Sequence, residues 1–278
     1  MSVIELMLGA LSVAAALCLI MASAWHIQQR RGKTGWIDTI WSLGVGGVSF
    51  IAAGWPLEPS WPHWRQTIVA VLAASWCLRL GLHIAERNSA AVDDPRYRNL
   101  ITQWGSDASR RMFWFLQSQA MVGVILAVSI LLAAHNPNPQ LRLQDLVGLV
   151  VLIVAIAGEA IADRQLRAFK NDPANRKAVC DVGLWQWSRH PNYFFEWLTW
   201  VAYPIIAIDL SGHNPYGWAA LAAPLCMYWV LVHVSGIPPL EEHMLRSRSD
   251  AFRAYQKRTR PFFPLPLFNA SSRRQAKG

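Results

Sequence analysis

Apolar residues run through this chain in long blocks separated by short polar intervals. Seven blocks approach the ~20 residues that a helix needs to cross a bilayer. They lie at about 3–25, 36–54, 67–85, 113–134, 146–169, 193–210 and 218–235, the fifth being apolar to Ile161 and ending on a charged turn. The pattern predicts an all-α fold, a polytopic membrane bundle of seven transmembrane helices. A single domain over residues 1–268 and a disordered tail over 269–278 are expected. Pro238-Pro239 ends the seventh helix. Beyond it Leu240, Met244, Leu245, Phe252 and Tyr255 recur at roughly helical spacing between charged residues, which predicts an amphipathic helix on the inner membrane face.

Composition agrees. Hydrophobic residues make up 53% of the 278 positions and charged ones only 15%, against about 25% charged in a soluble domain. The placement of Lys and Arg tests the span count independently. Twenty-three follow spans one, three, five and seven; Arg65 and Arg142 alone lie in the opposite connections, and Arg79 is inside a span. Cytoplasmic loops are the basic ones, so the N-terminus is expected outside and the C-terminus in the cytoplasm. An odd number of spans requires the same. The net charge of +9 then reflects topology and anionic headgroups. No nucleic-acid partner is expected, because the charge is dispersed between spans.

Ala22-Ser23-Ala24 looks like a signal-peptidase site, but the first span lacks a basic leader and is followed by Arg30-Arg31, so it reads as a retained helix. Cys18, Cys77, Cys180 and Cys226 are scattered without paired ligand spacing, and neither a disulfide nor a metal site is implied.

The densest polar run, Gly183 to Glu196, opens directly into the apolar stretch Trp197–Ile208. Polar groups at membrane depth are costly unless they serve something. Placed by topology, the ionisable residues gather in the inner half of the bilayer. Asp38 begins span two; Arg79, His83 and Glu86 share one face late in span three; Glu159 and Asp163 end span five. Asn192 and Glu196 begin span six, and His233 ends span seven. Arg79 could pair with Glu86, or Arg189 with Glu196. Five spans contributing to one layer favour a polar cavity open to the cytoplasm, with Trp36, Trp41, Trp76 and Trp114 lining an apolar part above it. A cytoplasmic nucleotide and a lipid-like substrate entering from the membrane fit the two halves.

The run Gly183-Leu184-Trp185, Ser188-Arg189-His190-Pro191-Asn192-Tyr193 and Glu196 resembles the C-terminal region of the steroid 5α-reductase family, closest to its bacterial membrane branch. Other parts agree: Asp38 to Trp41, Trp76 to Leu80, Arg87-Asn88, Asp93 to Tyr97, Ser235 to Glu242, and Tyr255 to Thr259 with Pro264. Sterol C14-reductases and isoprenylcysteine methyltransferases share versions of the Arg-His-Pro-Asn-Tyr element. The resemblance implies an NADPH-dependent reductase of a C=C bond conjugated to a carbonyl, in a steroid-like or other lipophilic substrate. It implies a bacterial inner-membrane location, and a monomer is expected. By motif position, Asp163, Asn192 and Glu196 look like holders of the ribose and nicotinamide portions, with Glu159 beside them. Arg79, Arg87, Arg167 and Lys170 suit phosphates, and Tyr97, Arg189, His190, Tyr193, Glu242 and Tyr255 are further cofactor candidates. No Gly-x-Gly-x-x-Gly is present, so side chains of the bundle replace a Rossmann unit.

Hydride addition to an enone builds negative charge on the carbonyl oxygen, and a donor placed there accelerates the step by stabilising it. Family members use an acidic residue with a tyrosine. Asp38 fits the acidic role if apolar surroundings keep it protonated, or it could be a structural partner of Arg79. Spans two and three contain no Tyr; Trp76 stands in the approximate place, and Trp41 or His83 could donate instead. An S-adenosylmethionine-dependent membrane methyltransferase is the alternative. A transporter is disfavoured by the nearly charge-free outer half.

Overall fold

The computed structural model describes residues 3–55, 63–89, 94–176 and 178–265, without the side chains of residues 63, 87–89 and 95. The expected tail, 269–278, lies outside the described residues. Ten α-helices account for most of the described chain: α1 (Val3–Arg31), α2 (Ile37–Gly54), α3 (His63–Ser89), α4 (Pro95–Trp104), α5 (Ala108–Ala134), α6 (Leu143–Asn171), α7 (Pro191–Ala207), α8 (Ala222–Trp229), α9 (Ile237–Ser247) and α10 (Ser249–Arg258). No strand occurs among the described residues beyond an isolated bridge, Ser188 with Arg260.

Six segments are long and apolar enough to cross a membrane: Val3–Arg31, Ile37–Gly54, Trp64–Glu86, Arg96–Ala134, Leu143–Asn171 and Pro215–Ser247. The molecule is therefore an all-helical, multi-pass membrane protein. The expected sixth span falls on α7, which is shorter, at 17 residues with Pro204 inside it. α6 has 29 residues, about 44 Å at 1.5 Å per residue, well over the ~30 Å hydrocarbon thickness. Its surplus length is the charged turn carrying Arg164, Arg167 and Lys170.

The fold forms two compact units. Unit 1 comprises Met1–Leu149 and Trp200–Cys226. In it α2 packs against α1, α3 and α5, and α4 lies on α5. Between helices in lipid, close packing replaces the hydrophobic effect as the main attraction, and small residues permit it. A Cβ on Gly46 of α2 would stand 1.9 Å from that of Cys77 on α3, so only glycine fits. Gly81 of α3 meets Leu43 of α2 in the same way, so the two helices run antiparallel. Trp76 and Trp200 are fully buried and meet edge to face at 4.8 Å, a geometry worth about 0.5–1.5 kcal/mol beyond its area.

Unit 2 comprises Val150–Thr199 and Met227–Gly278. Its α6 and α7 segments approach closely at Gly158, where a Cβ would lie 2.4 Å from the Phe195 ring. Gly183 has φ +58 and faces the Gln165 side chain, which leaves no room for another residue. From there a short 3-10 turn, Gly183–Gln186, carries Trp185 inward to donate from Nε1 to Ala162 O at 3.0 Å. A π-helical turn, Val230–Val234, separates α8 from α9.

Candidate functional site

Unit 2 brings together the polar groups at the start of α7 and the middle of α6. Asn192 Nδ2 donates to Asp163 Oδ1 at 3.3 Å. Glu159, one turn before Asp163, is 4% exposed, and Glu196, one turn after Asn192, is 6% exposed. Three buried carboxylates and one amide thus occupy the interior of two adjoining helices, where a structural contact would place apolar residues. Arg167 and Lys170 lie exposed on the last turns of α6. A separate groove of about 510 Å³ is lined by Val154, Gly158, Ile161, Gln165, Leu184 and Phe195 among others. It is mostly apolar and includes none of the buried carboxylates.

The residues just before α7 do different work. Arg189 grips Glu241 with two bonds, Nε to Oε1 at 2.7 Å and Nη2 to Oε2 at 3.2 Å, and donates from Nη1 to Thr259 O at 2.5 Å. His190 Nε2 shares Glu241 Oε1 at 3.0 Å, and Gln256 Nε2 donates to Oε2 at 2.8 Å. The Tyr193 ring stacks on that of His190 at 5.5 Å. Burial pushes the His190 imidazole below its ordinary pKa, against the opposing pull of Glu241. Tyr255 donates to the carbonyls of Trp185 and Ser188, and burial raises its pKa.

These contacts strap α9 and α10 to the 183–190 turn. Arg189 and Tyr255, expected at a cofactor, have their hydrogen bonds committed to the chain itself. The pairing of Arg189 is with Glu241, not Glu196. Glu242, the expected acid of α9, points outward to exposed Arg246; its neighbour Glu241 is the one at the cluster. Helical spacing contains that signal, since Glu241 lies one turn from buried Ile237.

Unit 1 holds the other candidates. Asp38, at the start of α2, accepts from the Tyr97 hydroxyl at Oδ1, 2.6 Å, and pairs with Arg96 through Oδ2. Gln119 Nε2 donates to the Tyr97 oxygen at 3.1 Å, and Trp41 Nε1 donates to Gln119 O at 2.9 Å. The surroundings of Asp38 are thus not apolar: its partner is Arg96 rather than Arg79, and both its oxygens act as acceptors. Tyr97, expected near a cofactor, supplies the tyrosine that spans two and three lack. It arrives from α4, whose start the sequence marks by Asp94 as N-cap, its side chain accepting from Arg96 N, with Pro95 in the first turn. Trp41 has its one donor occupied, and Trp76 is sealed in the core, so neither offers a free donor to a substrate. Arg79 and His83 are half-buried on α3. The side chain of Arg87 lies outside the described residues.

A third cluster was not foreseen. Arg65 is 2% exposed and its guanidinium donates to Asp145 and to the carbonyls of Asn136, Asn138 and Gln140. Arg142 holds the same carboxylate and the carbonyls of Ile206 and Ile208. The ends of α3 and α6 and the segments beside them therefore carry a buried ionic set. All of its members come from sequence positions that look isolated.

The four cysteines are free thiols, and no group of three His, Cys, Asp or Glu among the described residues is arranged to hold a metal ion. No curated protein and no solved structure matches the chain. Residues 24–259 match the family described as protein of unknown function (DUF1295), and the chain belongs to that family.

Proposed function

We propose that the protein is a membrane reductase that uses NADPH to saturate a C=C bond conjugated to a carbonyl in a steroid-like or other lipophilic enone. The observation that carries this reading is the set of three buried carboxylates, Glu159, Asp163 and Glu196, with half-buried Asn192 beside them. Carboxylates accept from ribose hydroxyls, and an amide both donates to and accepts from a carboxamide, so the residues present fit a nicotinamide nucleoside. Unit 2 also has the charge for its phosphates, with fifteen Lys and Arg against eight Asp and Glu. Arg167 and Lys170, exposed on α6, are suited to them.

When bound, NADPH supplies the hydride for the β-carbon of the enone. The chain's own task is to stabilise the charge that develops on the carbonyl oxygen. Tyr97 is the candidate donor, its oxygen held by Gln119 and its proton shared with Asp38. Asp38, half-open beside exposed Arg96, is placed to exchange protons with solvent. The steroid 5α-reductase resemblance supports the same pairing of an acid with a tyrosine.

The biased distribution of Lys and Arg supports seven crossings with α7 as the sixth, the N-terminus outside and the C-terminus, with its amphipathic α9 and α10, in the cytoplasm. The same reading makes the protein a monomer of the bacterial inner membrane.

The test is direct. The purified protein should carry NADP(H), detected by absorbance and mass spectrometry, or bind NADPH on titration, with Asp163→Asn and Asn192→Leu each weakening binding at least tenfold, about 1.4 kcal/mol. Absence of any bound dinucleotide together with no binding on titration would sink the reading. Tight binding of S-adenosylmethionine in its place would favour the methyltransferase alternative.

A further inference from the structure

Arg260 closes the strap that joins the C-terminal segment to the turn before α7. Its carbonyl accepts from Arg189 N at 2.8 Å, and its backbone forms a parallel bridge with Ser188. The backbone is therefore fixed within four residues of Asn192. The side chain is half-buried, and its Nε is shut off from solvent with no hydrogen-bond partner among the described residues. A buried cationic donor without an acceptor is unfavourable, because it loses hydration and receives nothing in return.

Neighbouring arginines do not share this condition. Arg189 is held by Glu241, Arg258 by Asp181 and Arg246 by Glu242. Arg248 also has a buried Nε without a partner, but its terminal nitrogens reach Met244 Sδ and Arg176 O. Nor does the following chain supply an acid to Arg260, since residues 261–278 contain no Asp or Glu. No described residue supplies the acceptor, and in a unit with this excess of cations the complementary ligand is an anion.

We propose that Arg260 is a phosphate-binding residue, and that its ligand is a phosphate of the dinucleotide read above as held by Asp163 and Asn192. The inference rests on that reading. A guanidinium presents a planar fork that matches two phosphate oxygens at once. With the backbone pinned by Ser188 and Arg189, only the side chain has to be ordered on binding, which limits the entropic cost. Both the pyrophosphate and a 2′-phosphate have this chemistry.

The full-length protein in detergent provides the test, with Arg260→Gln and Arg260→Lys as variants. NADPH and NADH are titrated against each. In parallel, modification of arginines by phenylglyoxal is mapped by mass spectrometry with and without pyrophosphate, NADPH or phosphatidylglycerol vesicles. Arg260→Gln should weaken NADPH at least tenfold and Arg260→Lys less, with the unfolding temperature unchanged because no internal bond is lost. NADPH and pyrophosphate should protect Arg260 and leave Arg258 reactive. Weakening confined to NADPH identifies the 2′-phosphate, and equal weakening of NADPH and NADH identifies the pyrophosphate; both uphold the proposal.

Protection by pyrophosphate in a protein that binds no dinucleotide would keep the phosphate site and discard the reductase reading. Unchanged NADPH binding in Arg260→Gln would overturn the proposal. Protection by the anionic vesicles alone would do so too.

Discussion

Two aspartates held between basic and polar groups stand at opposite ends of the antiparallel α2–α3 pair, about 27 Å apart by the length of α2. Around Asp145 everything is closed. Its side chain is 5% exposed, Arg65 2% and Arg142 11%, and the two guanidiniums also bind five backbone carbonyls from the connections around them. Around Asp38 the set is open on one side. Arg96 is 47% exposed, Asp38 21%, and behind them lies a buried hydroxyl with a transferable proton. The first cluster resembles a rivet: its donors are spent on one carboxylate and on backbone carbonyls. The second keeps a proton donor hydrogen-bonded to an acceptor within reach of water. Burial and saturation, more than residue type, separate a closed ion cluster from an open one.

The largest expected effect breaks the closed cluster. Asp145→Asn strands two guanidiniums away from water and should cost about 3–5 kcal/mol, read as a large drop in unfolding temperature. Arg65→Met with Asp145→Leu should recover part of that loss, because it removes one buried charge together with its partner. If Asp145→Asn unfolds no more readily than Asp38→Asn, the contrast fails.

Next comes the strap in unit 2. Glu241→Gln deprives Arg189 of its anion and should cost about 1–3 kcal/mol, whereas Glu242→Gln, facing solvent with Arg246, should stay within about 0.5 kcal/mol.

His190 gives the same strap a pH dependence. Its folded pKa is depressed by burial, so the unfolded chain binds the proton more readily. This contribution to stability is complete above about pH 6.5, the ordinary imidazole value, and is lost as pH falls through the depressed folded value. Unfolding temperatures followed from pH 8 to pH 5 should fall more steeply in the wild type than in His190→Gln. The groups facing the ring are Glu241 and, through that carboxylate, Arg189, with Tyr193 stacked on it.

The open cluster should lose far less stability than the closed one. Asp38→Asn should cost only about 1 kcal/mol, because its partner Arg96 is half in water. The same substitution, and Tyr97→Phe, should lower the reduction of an enone about a hundredfold while leaving NADPH affinity unchanged. Equal losses of activity and NADPH affinity would move both residues from the reacting carbonyl to the cofactor.

Much of the helical layout is legible from hydropathy. Six expected spans fall on long apolar segments, and the extension of the fifth through Phe169 appears in α6. Asp163 and Asn192 stand out in the sequence, each one turn from another acid, but their hydrogen bond to each other is a finding of the structure. Hydropathy does not mark the short polar helix α4, although Asp94 and Pro95 signal its start. Tyr97 was therefore placed with the cofactor instead of on Asp38, fifty-nine residues earlier in the chain. Glu241 and Glu242 are adjacent, yet only Glu241 reaches Arg189. On a helix that is 100° of rotation, enough to exchange a buried partner for a solvent-facing one.

By itself the sequence determined the class of protein and six of its long apolar helices, because apolar length is a property of contiguous residues. Only the tertiary structure decided which charge meets which. Asp145 found Arg65 across eighty positions and Glu241 found Arg189 across fifty-two, while Arg260 Nε met no acceptor among the described residues. Hydrogen bonds act over about 3 Å, and no spacing along the chain reports that distance between residues on different helices.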